Sequence, residues 1–191
     1  MYREYSDKKA PFYIALLDAK SAFDVVDIDI LMRKLYLLDI QPSTWKSIDN
    51  LHHDKRTCIK WKQQVSDSFD CQQGVNQGGL LSVELCKSYI EDLIKSYENS
   101  KIGCRIGTIT INAVVCADDI ALVSDNSHDL QILVNQAVQY SITHRYKLQP
   151  KKSVVIEVNK NGRNQQDKNL PLKINQDDMP TVDKSAQKIH K

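Results

Sequence analysis

No hydrophobic run in this sequence approaches the roughly 20 residues that a membrane-spanning helix needs; residues 12–17 and 113–116 are the longest apolar stretches. A membrane partner is not expected. The N-terminus, MYREYSDKKAP, is charged and has neither the apolar stretch nor the small-residue cleavage site of a secretory signal. An intracellular protein, nuclear or cytoplasmic, is the expectation. The cysteines Cys58, Cys71, Cys86, Cys104 and Cys116 are scattered and odd in number, without the close pairs of a zinc site. They read as reduced thiols, mostly in the core. Charge of one sign is also scarce, since 26 Lys and Arg stand against 24 Asp and Glu, a formal balance of +2. Phosphate binding needs local clusters of Lys and Arg, so composition alone names no nucleic-acid partner.

The remainder is ordinary globular material. Hydrophobic residues make up 41% and charged residues 26% of 191 positions, which suits one folded domain with a substantial core. The run FYIALL at residues 12–17 is apolar and ends in Asp18, the pattern of a buried strand that delivers a carboxylate to its end. Ile30, Leu31, Lys34, Leu35 and Leu38 then recur near helical spacing, and Gln41-Pro42-Ser43 reads as a stop and a new helix start. A helix pair is expected between Asp27 and His53.

Residues 57–65 alternate in the manner of a half-exposed strand that pairs with the polar strand after it, which would leave Lys60 and Lys62 on an exposed strand. Leu81, Leu85, Tyr89 and Leu93 repeat every four residues and predict a long helix beginning at Gly78-Gly79. Two β-rich runs, TITINAVV and IALVS, flank Cys116-Ala117-Asp118-Asp119 and predict a hairpin with acids at its tip. Leu130, Leu133, Val134, Ala137 and Ile142 mark an amphipathic helix capped by Asn126 or Ser127, and a last strand is expected over residues 153–158. Beyond Asn159 the chain is polar, and a weakly ordered tail with one short strand at 172–174 is expected. The mixed order of elements favours an α+β layer architecture, with helices on one face of a sheet.

The chemistry lies in the carboxylates. Two divalent ions about 4 Å apart can stabilise both the attacking and the leaving oxygen of a phosphoryl transfer. Mg²⁺ takes hard oxygen ligands and keeps several waters, so two or three Asp side chains from different strands are enough to hold it. Asp118 and Asp119 are adjacent anions at a tight turn, an arrangement that a cation would neutralise. An Asp-Asp pair alone is common in solvated turns. Here, however, apolar strands bracket the pair, and Asp18 ends another such strand.

Four segments in order then resemble the reverse transcriptase family, most closely the enzymes of non-LTR retrotransposons. Leu17-Asp18-Ala19-Lys20-Ser21-Ala22-Phe23-Asp24-Val25-Val26 is similar to the family's first catalytic motif. That resemblance makes Asp18 a metal ligand and Phe23 the block against a ribonucleotide's 2′ hydroxyl; as an alternative, Phe23 is a core aromatic. Gln73-Gly74-Val75-Asn76-Gln77-Gly78-Gly79 is similar to the nucleotide- and template-positioning motif, with Gln73, Gly74 and Gly78 as substrate-binding residues. Leu80 and Val83 stand where the family commonly has proline. Cys116-Ala117-Asp118-Asp119 resembles the second metal-binding motif, with Asp118 and Asp119 as ligands and Cys116, read as a buried thiol, in place of an aromatic. Lys147-Leu148-Gln149-Pro150-Lys151-Lys152-Ser153 is similar to the motif whose lysine protonates the leaving pyrophosphate. Lys152 is the better candidate and Lys151 the second, and Gln149 replaces a commoner asparagine.

The resemblance implies a polymerase palm: an antiparallel sheet with helices packed on one face, over residues 1–158, with residues 159–191 as a polar tail. Little of the fingers and no thumb is recognisable, and no endonuclease or RNase H signature occurs. The implied activity is RNA-directed DNA polymerisation by two-metal nucleotidyl transfer. It uses an RNA template, a DNA primer, deoxynucleoside triphosphates and two Mg²⁺ ions, with Mn²⁺ as a substitute. The alternative is a truncated or domesticated remnant that binds nucleic acid or protein, and the fragment alone is expected to be weak or inactive. A viral or intron-type polymerase is a third reading, because the palm acids are shared among polymerases.

Overall fold

The computed structural model describes residues 11–116, 119–158, 172–175 and 177–183. The chain divides into two compact units, one of residues 1–20 with 91–191 and one of residues 21–90.

The first unit is built on a five-stranded sheet in the order β13-β10-β1-β9-β8. Its strands are β1 (Phe12–Leu17), β8 (Ala113–Cys116), β9 (Asp119–Ser124), β10 (Val154–Val158) and β13 (Thr181–Asp183). All neighbours are antiparallel except β13, which runs parallel to β10. Tyr13, Ala15 and Leu17 of β1 are buried on one face. That face meets helix α4 (Ser127–Thr143), which packs on β1 and β9. Leu130, Leu133, Val134 and Ala137 of α4 are fully buried, as their spacing predicts, whereas Ile142, expected with them, is 60% exposed. Asn126 is the N-cap, its side chain accepting from the Asp129 amide at 2.7 Å. The α+β layering, with helix on one sheet face, is thus as expected.

The opposite face is partly open. Phe12 packs there with Cys104, Val123 and Val158 at one end, and Leu16 and Val114 are 40% and 58% exposed further along.

The run TITINAVV is not one strand. It breaks at Asn112 into β7 (Ile109–Ile111), which pairs with β6 (Cys104–Ile106), and β8, which joins the central sheet. Asn112 is buried, and its amide donates to the Tyr97 carbonyl at 2.5 Å, so a polar anchor ends one pairing and begins the next. The stretch expected as a tail supplies more order than its composition suggests. Besides β11 (Lys173–Ile174), paired with β12 (Asp177–Asp178), it contributes β13 to the sheet edge. Leu172, Ile174 and Met179 are buried, and these few apolar anchors hold the segment down.

The second unit contains the expected helix pair, α1 (Ile28–Leu37) and α2 (Pro42–His52). Asp27 caps α1 by accepting from the Ile30 amide, Pro42 opens α2, and the Trp45 indole N–H donates to the Met32 carbonyl at 2.9 Å to tie the two together. The expected strand at 57–65 is instead two short antiparallel pairs, β2 (Arg56–Thr57) with β5 (Phe69–Asp70) and β3 (Lys60–Trp61) with β4 (Gln64–Val65). Lys62, at φ 54, turns the inner hairpin, so the alternation read as one strand folds back on itself. Lys60 and Lys62 are both exposed, Lys60 on the strand and Lys62 in the turn. The long helix α3 runs over Ser82–Glu98, with the part up to Ile90 in this unit and the part from Glu91 in the first. Of the five cysteines, only Cys86 and Cys104 are buried; Cys71 is intermediate and Cys58 and Cys116 are exposed, which corrects the expectation of mostly core thiols. Among the described residues no helix is long and apolar enough to cross a membrane.

Candidate active site

Antiparallel pairing aligns the candidate acids. The last paired residues of β1 and β9 are Leu17 and Ile120, and the next positions outward are Asp18 and Asp119. Residues that face one another across a ladder share a face of the sheet, and residues two apart on a strand do too. Asp18 therefore follows Leu16 on the open face, and Asp119 precedes Ala121, the partner of Leu16, on the same face. Asp119 is exposed and Asp18 half-buried. Cys116 pairs with Asp119 and is exposed, so it is not the buried thiol expected; it sits on the open face with Val114. Asp118, between these paired residues, lies outside the described residues.

Asp18 is held from the far end of the sequence. Its amide donates to the Ser153 hydroxyl at 3.1 Å, and its carbonyl accepts from the Gln149 amide at 2.9 Å. The Gln149 side-chain amide donates to Oδ2 of the Asp18 carboxylate at 2.5 Å. Ala19 bridges Leu148, and the Lys20 amide donates to the Lys147 carbonyl at 2.9 Å. The lysine-bearing segment and the first acid motif are thereby one local structure. Lys152 is exposed and immediately precedes Ser153; Lys151 is exposed beside it, so accessibility does not separate the two lysines. Sequence reasoning missed the clamp made by Gln149 and Ser153. The signal for it is the glutamine that stands in the lysine motif where the family commonly has asparagine.

Among the described residues no three His, Cys, Asp or Glu side chains come together to hold a metal ion, so the fit to one is judged from the donor chemistry of the two acids. Asp18 and Asp119 offer hard carboxylate oxygens on adjacent strands, and among the described residues neither is ion-paired to a Lys, Arg or His. Oxygen donors free of a competing cation suit a divalent ion of the Mg²⁺ type.

In the second unit, the end of the first motif pairs with the glycine motif. The Gly74 amide donates to the Val26 carbonyl and the Val75 amide to the Phe23 carbonyl, each at 2.8 Å. Gly74 has φ +89, and a Cβ there would lie 2.8 Å from the Asp24 carbonyl oxygen, so this approach admits only glycine. Gln77 donates to the Asp24 carboxylate at 3.2 Å, and the Ser82 hydroxyl donates to the Asn76 carbonyl. Gln73 and Gly78 are exposed, Gly74 is buried, and Phe23 is half-buried. Leu80 is 100% exposed, where the turn lacks the proline common in the family.

A family model described as reverse transcriptase (RNA-dependent DNA polymerase) matches residues 3–177. The Pol polyprotein of the retrotransposable element R2 from Popillia japonica is 28% identical over 158 residues, 82% of this chain and 22% of the relative. That of the element R2DM from Drosophila melanogaster is 27% identical over 128 residues, 67% of this chain and 12% of the relative. The chain thus spans about a fifth or less of the length of these curated relatives. Among solved structures, apo telomerase from Candida tropicalis, truncated from its C-terminal domain, superposes with a TM-score of 0.60 at 17% identity, covering 82% of this chain and 33% of the telomerase. Telomerase from Candida albicans in complex with a fragment of telomeric RNA gives 0.60 at 16%, covering 91% and 31%. These likenesses show the fold, a palm-like α+β arrangement, and the extent of the sequence match decides the family. This chain belongs to the reverse transcriptase (RNA-dependent DNA polymerase) family.

Proposed function

We infer that this chain is the catalytic palm of a retroelement reverse transcriptase, which extends a DNA primer along an RNA template with deoxynucleoside triphosphates. The observation that carries this reading is the β1–β9 register, in which Asp18 and Asp119 follow the last strand pair on one open sheet face. Asp18, Asp118 and Asp119 are the residues that would hold two Mg²⁺ ions, with Mn²⁺ as a substitute. When bound, such ions stabilise the attacking 3′ oxygen and the leaving pyrophosphate oxygen.

The chain's own groups supply the rest. Lys152 would donate a proton to the departing pyrophosphate, a role open to an exposed ammonium. Phe23 would exclude a 2′ hydroxyl, and Gln73 with the backbone at Gly74 and Gly78 would position nucleotide and template. Asp18, half-buried, and the exposed Asp119 have no cationic partner among the described residues, and neighbouring carboxylates repel unless they serve a cation, which favours a polymerase over a non-catalytic remnant.

The test is Mg²⁺-dependent extension of a primed RNA template by the chain, and by the Popillia R2 polyprotein carrying this chain in place of the segment it matches. Extension by the chimera should fall on the order of 100-fold or more in Asp18→Ala and Asp118→Ala. A folded chimera that binds the primed template, yet extends it no faster than its Asp18→Ala form, would refute the reading.

A further inference from the structure

Residues 147–153 grip the Asp18 segment by four hydrogen bonds of different kinds. Three fix the main chain: Gln149 N–H to the Asp18 carbonyl at 2.9 Å, Lys20 N–H to the Lys147 carbonyl at 2.9 Å, and Asp18 N–H to the fully buried Ser153 hydroxyl at 3.1 Å. With the backbone held, the carboxylate can still rotate about its own side-chain bonds. The fourth bond removes that freedom, because the Gln149 amide donates to Oδ2 at 2.5 Å.

The type of donor matters. A lysine or arginine at this position would neutralise the acid and compete with a metal ion for it. A neutral amide orients the carboxylate and leaves its charge for a cation. It also occupies only one of the two carboxylate oxygens and leaves Oδ1 for a cation. Two bonds from one residue, one to the carbonyl and one to the carboxylate of Asp18, make a bidentate hold. The turn that follows adds stiffness, since the Lys152 and Ser153 amides both donate to the Gln149 carbonyl, at 3.1 and 2.8 Å.

We propose that Gln149 is a positioning residue, which holds Oδ2 of Asp18 so that Oδ1 is presented to a divalent cation. The proposal rests on the reading of Asp18 as a metal-holding acid. It makes the distance between Gln149 and Asp18 in sequence a functional link, tying the lysine-bearing segment to the first metal-binding acid. Outer partners of metal ligands commonly contribute about 10- to 100-fold in metal affinity.

The experiment is Mn²⁺ binding to the purified full chain, followed by electron paramagnetic resonance, with urea unfolding of every variant as a check on the fold. Asp18→Ala defines the Asp18-dependent site. Gln149→Leu removes the donor at similar size, and Gln149→Met does so with a more flexible chain should leucine fail to fold. The expected result is a folded Gln149→Leu or Gln149→Met protein that binds Mn²⁺ about 10-fold more weakly, with a broadened spectrum from a less ordered ligand set. Asp18-dependent binding that is equally tight in a folded apolar variant overturns the proposal and leaves the functional reading standing. A variant that is less stable but binds Mn²⁺ with unchanged affinity and spectrum overturns it as well, because the glutamine would then be structural only. Failure of the unmodified chain to bind Mn²⁺ through Asp18 overturns both the reading and the proposal.

Discussion

The hydroxyl of Tyr97, on a side chain wholly removed from solvent, donates to the backbone carbonyl of Leu133 at 3.1 Å and fastens the end of α3 to the middle of α4. Burial pushes the Tyr97 hydroxyl well above the ordinary tyrosine range, and the nearby Tyr146 adds to the shift. A group whose folded pKa is raised contributes stability that is complete below its unfolded pKa, near 10, and that is lost as pH rises toward the folded value. Urea unfolding between pH 8 and 11 should therefore show a loss of stability setting in near pH 10. Tyr97→Phe should cost about 1 kcal/mol at neutral pH and flatten that alkaline loss. An unchanged alkaline slope in the phenylalanine variant would assign the loss to another group.

Two glycines with positive φ should respond differently to a methyl group. Gly74, at φ +89, would place its Cβ 2.8 Å from the Asp24 carbonyl oxygen, whereas Gly78, at φ +80, opens onto space with nothing within 4 Å. Gly78→Ala should cost about 1 kcal/mol from backbone strain alone. Gly74→Ala should cost about 2 kcal/mol or more, because the backbone it strikes cannot swing aside as a side chain would. Comparing denaturant midpoints decides the order.

Phe23 is half-buried, with its carbonyl bound to the Val75 amide at 2.8 Å, so its backbone position is set by the glycine motif. If its ring guards the sugar, Phe23→Ala in the R2 chimera should raise ribonucleotide incorporation by about 10-fold or more while deoxynucleotide extension persists. Unchanged discrimination, with a lower denaturation midpoint, would place the ring in the core instead.

The β3–β4 hairpin presents Lys60, Lys62 and a Trp61 that is 71% exposed. Basic side chains beside an exposed aromatic suit single-stranded nucleic acid, through phosphate contacts and base stacking. Replacing both lysines by glutamate should weaken single-stranded RNA binding and reduce its log–log salt slope by about 1.4 if each meets one phosphate. Trp61→Ala should weaken binding without changing that slope. Fluorescence anisotropy over a salt series measures both, and an unaltered slope in the double-glutamate variant would remove the hairpin from the interface.

The sequence by itself determined the elements and the chemistry they carry. The spacing of Leu130, Leu133, Val134 and Ala137 makes α4 a helix with one apolar face, and the apolar run before Asp18 makes a strand that ends in a carboxylate. Such periodicities depend on residues a few positions apart, so they are legible along the chain. The glycine motif likewise announced a close backbone approach, and Gly74 makes one. Only the tertiary structure decided which strands meet. The register that puts Asp18 next to Asp119, the bond from Gln149 to a carboxylate 131 residues earlier, the break at Asn112 and the attachment of β13 to β10 are all non-local pairings. Partner and register are selected by the burial of a whole sheet face, and a slip of one residue would turn every side chain of a strand to the other side. No local pattern encodes that choice, which is why two acids legible as chemistry became neighbours only when β1 and β9 paired.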